Sequence, residues 1–252
     1  MNSIRCLGLL AILVGVVLMS QAPVLAQEVP GVSVNLGESG GPQQVSTVLQ
    51  ILMLLTVLSM APAILLMTTS FIRIVVVLSF LRQAMGTQQM PPNQIIIGLA
   101  MFLTFFIMSP VFNQINEKAL QPYLQEEIQG KEALKTASVP MREFMFAQVR
   151  EADLKLMTQM GAADKNPENR DEISTLTLIP AFMLSELKRA FQIGFMIFVP
   201  FLVIDMITAS VLMTMGMLML PPIIISLPFK VLLFVLVDGW NLIAGSLMQG
   251  FY

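Results

Sequence analysis

The chain has 252 residues, of which 56% are hydrophobic and only 12% charged, with a mean hydropathy of +0.78. This excludes an ordinary soluble globular domain and sets the class as an integral membrane protein. A net charge of −2 argues against a nucleic-acid partner, and the lack of histidine, with one cysteine at Cys6, removes the commonest metal ligand, general base and thiol nucleophile.

The first stretch, MNSIRCLGLLAILVGVVLMSQAPVLAQE, has a basic start at Arg5, an apolar centre from Cys6 to Met19 and a small residue closing Val24-Leu25-Ala26. Residues 1–26 read as a signal peptide cleaved after Ala26, the alternative being an uncleaved membrane helix. Cleavage leaves a chain without cysteine, so no disulfide, metal or cofactor is expected. Residues 27–47, rich in Gly, Ser, Gln, Val and Pro, read as a flexible leader. Val48 to Ser70 is uncharged and apolar, long enough to cross about 30 Å of hydrocarbon. Arg73 and Arg82 follow, and with the leader outside they fall inside, in accord with the positive-inside rule. QQMPPNQ (Gln88–Gln94) predicts a turn, with Pro91 and Pro92 stopping a helix and Asn93 bonding the freed backbone. Ile95 to Phe112 is the second apolar run, so 48–112 is expected to be a hydrophobic helical hairpin.

Residues 113–177 hold 19 of the 30 charged residues, 8 basic and 11 acidic. Ser138 and Pro140 mark a helix start and Gly161 its stop. Met141, Met145, Val149, Ala152, Leu156 and Met160 recur every three or four residues as one apolar stripe. The segment reads as a charged, helical, periplasmic insert, with Phe144 and Phe146 in its core.

Residues 178–252 are apolar again but do not divide into clean spans. Ala190 to Ile204 spans only about 22 Å as helix, and Pro221, Pro222 and Pro228 break the next apolar run. Glu186, Lys188, Arg189, Asp205, Lys230 and Asp238 stand on these apolar segments, where each charge costs at least about 2.5 kcal/mol unless it faces protein or water. Lys188 and Arg189 fit an interface, where long side chains snorkel. Glu186 and Lys230, opposite in sign, are expected to pair across a subunit boundary. Then comes MTMGMLMLPP, with methionine at 213, 215, 217 and 219. Period two sends all four the same way in an extended loop; the other reading is a Met-rich membrane helix frayed by Pro221.

PAFMLSELKRAFQIG (Pro180–Gly194) and PFKVLLFVLVDGW (Pro228–Trp240) resemble the two signature stretches of the FliP family. Thr68 to Phe112 and Met141 to Leu154 resemble it as well. The resemblance implies an all-α membrane protein of bent, Pro-broken helical hairpins that assemble into a helical, cone-shaped oligomer, much of it on the periplasmic side of the bacterial inner membrane. It implies a non-enzymatic role, with no catalytic residue, in the flagellar basal body. There, several copies with FliQ and FliR form the core of the type III export gate, beside FlhA and FlhB, and unfolded flagellar subunits pass through. The family's pore gasket, a methionine-rich loop before paired prolines, corresponds to Met217, Leu218 and Met219, with Met213 and Met215 as further pore-loop candidates. Leu218 departs from the methionine the family commonly shows there. The family's paired charges correspond to Glu186 and Lys230.

Two other readings stand beside this one. A virulence-type secretion homologue shares both signatures, and a stand-alone secondary transporter or channel accounts equally for charges in broken helices. The lack of an inverted repeat and the charged insert oppose the latter.

Overall fold

The computed structural model describes residues 42–87, 90–161, 169–217 and 220–251, and every regular element among them is helical. The signal peptide, its cleavage site and residues 27–41 lie outside them. The first helix, α1 (Pro42–Thr68), starts inside the expected leader, with proline at a position where its missing N–H is no loss. One compact unit ends at Thr56 within α1 and the other runs from Val57 onward. The side chains of Leu52, Met53, Leu54, Val57 and Leu58 are all exposed. The Thr56 and Thr68 hydroxyls donate to the carbonyls of Leu52 (2.8 Å) and Ile64 (3.0 Å), so neither is stranded on this apolar helix.

α2 (Phe71–Met85) is the central helix of the second unit. Arg73, Ile74, Val77, Leu78, Leu81, Ala84 and Met85 are buried along it at helical spacing. α3 (Asn93–Ile115) runs on without a stop through a π-helical turn (Asn116–Leu120) into α4 (Gln121–Leu124). The helix therefore runs on past Phe112, where the second apolar run ends. Charges such as Glu117 and Lys118 do not stop a helix; they only put it in water. The Asn93 side chain also differs from expectation. Its Oδ1 accepts from Arg82 Nη1 at 2.5 Å rather than serving backbone.

The insert breaks where one helix was expected. α5 (Gly130–Gln148) starts well before Ser138 and carries Pro140 inside it. α6 (Glu151–Gly161) follows an extended Val149 (ψ 141°). The cause is tertiary: Ser185 Oγ accepts from the Arg150 N–H at 3.0 Å and donates to Asp153 Oδ2 at 2.8 Å. That break re-phases the helix, so the expected stripe ends at Val149, and Leu156 and Met160 face solvent. Met145 is buried with Leu178 and Phe182 in a small core, against which Phe144, Phe146, Val149 and Leu154 pack.

α7 (Thr175–Thr214) has 40 residues, about 60 Å at 1.5 Å per residue. Pro180, Pro200 and the charges at 186–189 all sit within it without breaking it. Gly194 allows α2 to cross closely, because a Cβ there would lie 2.6 Å from the Phe80 ring. α8 (Pro222–Leu236) and α9 (Gly239–Gln249) meet at a 62° bend. A Cβ on Gly239 would lie 2.2 Å from Phe234, and Trp240 packs edge-on to that ring at 5.3 Å. α2, α3, α7, α8 and α9 share the main core around Ile74, Leu81, Ala100 and Phe201. Among the described residues three helices are long and apolar enough to cross a membrane (Leu49–Thr68, Asn93–Leu124 and Thr175–Thr214), or four if the bent α8–α9 pair is one span.

Candidate functional site

Two charge clusters and one methionine turn organise the second unit. The first cluster centres on Arg73, which is 2% exposed on an otherwise apolar helix face. A buried guanidinium needs its donors filled and its charge met. Arg73 Nε and Nη2 fork onto Glu186 Oε2 and Oε1 at 2.7 and 2.5 Å. Nη2 also reaches Gln148 Oε1 (3.0 Å), and Nη1 reaches the Gly250 carbonyl (3.0 Å). The group lies 3.6 Å from the centre of the Phe251 ring. Gln148 completes the cluster: its Nε2 donates to the Phe251 carbonyl (3.1 Å), and its Oε1 also accepts from Arg189 Nη1 (2.6 Å). One buried fork thus ties α2, α5, α7 and the turn after α9 together.

The second cluster sits at the end of α2. Lys230 Nζ donates to Asp205 Oδ2 (2.6 Å) and to the Ala84 carbonyl (3.1 Å). Ser226 donates to the other carboxylate oxygen at 2.5 Å. A cation at the last turn of α2 also answers the carbonyl end of the helix dipole.

Within one chain, then, Glu186 and Lys230 are not partners; Arg73 and Asp205 are. Arg73 is buried within the fold, and Arg82 is held by Asn93 and the Pro91 carbonyl. Lys188 is exposed and Arg189 half-buried. Sequence reasoning missed Arg73, Gln148 and Ser185 as site residues, and left Asp205 without a partner. The one signal for them was Arg73 itself, a charge inside the apolar run FIRIVVVLSF.

The methionine turn closes α7. Gly216 N–H bonds the Met213 carbonyl (3.1 Å) and Met217 N–H bonds the Leu212 carbonyl (3.0 Å). With Gly216 at φ +76°, this is a Schellman ending; a side chain at 216 would strain it. Met213 lies on the helix and Met215 at its cap, so the period-two methionines are not one extended strand, as the loop reading required. Pro222 then opens α8 with Pro221 as its cap. Met213, Met215 and Met217 are 64%, 63% and 44% exposed. Leu218 and Met219 lie outside the described residues.

A family model described as the FliP family matches residues 54–247. The chain belongs to the FliP family. It is 56% identical over 218 residues to the flagellar biosynthetic protein FliP of Bacillus subtilis strain 168, covering 86% of this chain and 98% of that one. It is 50% identical over 235 residues to that of Pectobacterium carotovorum (93% and 90%), and 44% identical over 236 residues to that of Aquifex aeolicus (93% and 97%). The match to the FliP model takes in α2, α3, the charged and polar side chains of both clusters and the methionine turn, and stops short of Gly250 and Phe251.

Proposed function

We propose that this chain is a core structural subunit of the flagellar protein export gate, without enzymatic activity. Several copies assemble with FliQ and FliR in the bacterial inner membrane at the flagellar basal body, with the bulk on the periplasmic side and FlhA and FlhB alongside. Unfolded flagellar subunits pass through the centre. The observation that carries this is the methionine turn: three exposed, unbranched apolar side chains at the end of a 40-residue helix, held in place by a capped backbone.

In the assembly the segment Met213–Met219 lines the passage, with Met217, Leu218 and Met219 at the constriction. A gate must hold back ions when idle and admit peptides of any sequence when working. Thioether side chains deform and re-pack without binding one cargo over another, and an apolar constriction closes by dewetting. Replacing Met217 and Met219 by alanine raises small-ion leakage while export persists in part. Unchanged conductance removes the sealing role.

Assembly also bears on Glu186 and Lys230. A pair between copies forms by exchange, replacing Arg73–Glu186 and Asp205–Lys230 with contacts across the boundary. The Glu186→Lys, Lys230→Glu double variant recovers complex yield lost in each single variant if that exchange occurs.

A further inference from the structure

The 62° bend between α8 and α9 leaves an apolar groove of 660 Å³ against α7, walled by Ile197, Phe201, Val237, Leu242 and Ile243. Its volume is that of a site for a small organic molecule, roughly 300–1,000 Å³. One end is different. Gln192, Ile193, Ser246 and Leu247 line both this groove and a polar recess of 390 Å³ that adds Arg73, Arg189 and Gly250. Hydrocarbon walls thus run directly into a guanidinium-lined pocket.

The charges at that end do not balance. Arg73 and Arg189 both donate to the one oxygen Gln148 Oε1, at 3.0 and 2.6 Å, so the two guanidiniums are neighbours. Glu186 is taken by Arg73 in a two-point fork, and Asp153 lies 4.0 Å from Arg150. Among the described residues no carboxylate comes within 4.0 Å of Arg189. Three guanidiniums, of Arg73, Arg150 and Arg189, thus share the two carboxylates of Glu186 and Asp153, and the excess positive charge draws an anion. Each of the groove's two features names half of a ligand: a long apolar chain, and a negative group at its end.

We propose that the groove and recess hold one anionic phospholipid, with its phosphate on Arg189 and an acyl chain along α7 between Ile193 and Leu242. A second copy of this chain fits the charge less well, since an apolar helix face brings no anion, and a helix with its side chains is about 10 Å across. The assignment goes beyond the export-gate role and does not depend on it.

The test uses the full chain in its purified complex, stripped of native lipid and offered phosphatidylglycerol and phosphatidylcholine in equal amounts. Native mass spectrometry counts the lipid retained. The wild type keeps one phosphatidylglycerol per copy, in preference to phosphatidylcholine by about tenfold. Arg189→Gln loses that preference, Arg189→Lys keeps it, and Ser246→Trp, which fills the groove, lowers retention of both lipids. Inorganic phosphate at millimolar concentration leaves the lipid bound. Equal retention of the two lipids by the wild type overturns the proposal, as does an intact preference in Arg189→Gln or displacement by phosphate alone. Leu242→Cys that cross-links between copies with no lipid retained also overturns it, because a second chain then covers the groove. A melting temperature for each lipid-free variant shows that it folds, and Arg189→Lys supplies the comparison if Arg189→Gln does not.

Discussion

Replacing Glu186 by glutamine removes one negative charge from the most buried ion pair in the described residues and changes almost nothing else in shape. Arg73 is left 2% exposed, held by Gln148 Oε1 and the Gly250 carbonyl, with its charge unmet. Breaking a buried pair from one side costs about 3–5 kcal/mol. The retained amide oxygen still accepts one hydrogen bond, which sets the expectation at the lower end, about 3 kcal/mol. For a chain of this size each kcal/mol moves the melting temperature by roughly 2–4 °C, so thermal unfolding followed by helical circular dichroism, in one detergent at fixed protein concentration, falls by roughly 6–12 °C. The control is the double variant Arg73→Met, Glu186→Leu, which replaces the fork by apolar contact. It melts closer to wild type than Glu186→Gln does, because no charge is stranded. A single variant within about 1 °C of wild type, or a double variant worse than the single, refutes the reasoning that this fork is a charge whose neutralisation the fold requires.

The charge swaps separate contacts within a chain from contacts between copies. If the intrachain pairs persist in the assembly, Arg73→Glu with Glu186→Arg and Asp205→Lys with Lys230→Asp recover complex yield while Glu186→Lys with Lys230→Glu does not. Gly239→Ala places a Cβ 2.2 Å from Phe234 Cε2, an overpacking that costs about 1–3 kcal/mol in thermal unfolding, and Phe234→Leu added to it restores part of the loss. Ser185→Ala strands the Arg150 N–H at the α5–α6 break and costs about 1–2 kcal/mol, with faster hydrogen exchange at Arg150 as the local readout.

The helices were legible in the sequence wherever one interaction dominates. Long uncharged runs gave α1 and α3, because backbone groups in an apolar setting have no alternative to the helix ladder. The paired prolines gave the start of α8. The misread elements had competing causes. α7 looked broken because Glu186, Lys188 and Arg189 cost transfer energy, but a charge that finds a partner on another helix leaves its own helix intact, and Arg73 lies 113 residues away from Glu186 in the chain. The insert looked like one helix because the stripe from Met141 to Met160 has helical spacing. A single hydroxyl from α7, Ser185, claims the Arg150 amide and cuts it in two. Periodicity reports what a helix would bury; it does not report which donor a distant element will capture.

The same logic explains why the candidate site was half visible. Opposite signs at Glu186 and Lys230 were correct evidence that these charges need partners, and composition cannot say which. An apolar helix can carry a buried arginine only if the rest of the chain converges on it. Here α2, α5, α7 and the carbonyls of Gly250 and Phe251 all do, through Arg73 and Gln148. The methionine turn is opposite in kind: the side chains of Met213, Met215 and Met217 are exposed, while its backbone is closed by two capping hydrogen bonds and one left-handed glycine. A fixed backbone under soft, exposed side chains is what the proposed seal calls for, since a ring of copies would have to stay in register while its surface yields. The clusters tie α7 to α2, α5 and α8 along its length, while the left-handed Gly216 ends the helix and sets out the methionines that the proposed gate would use.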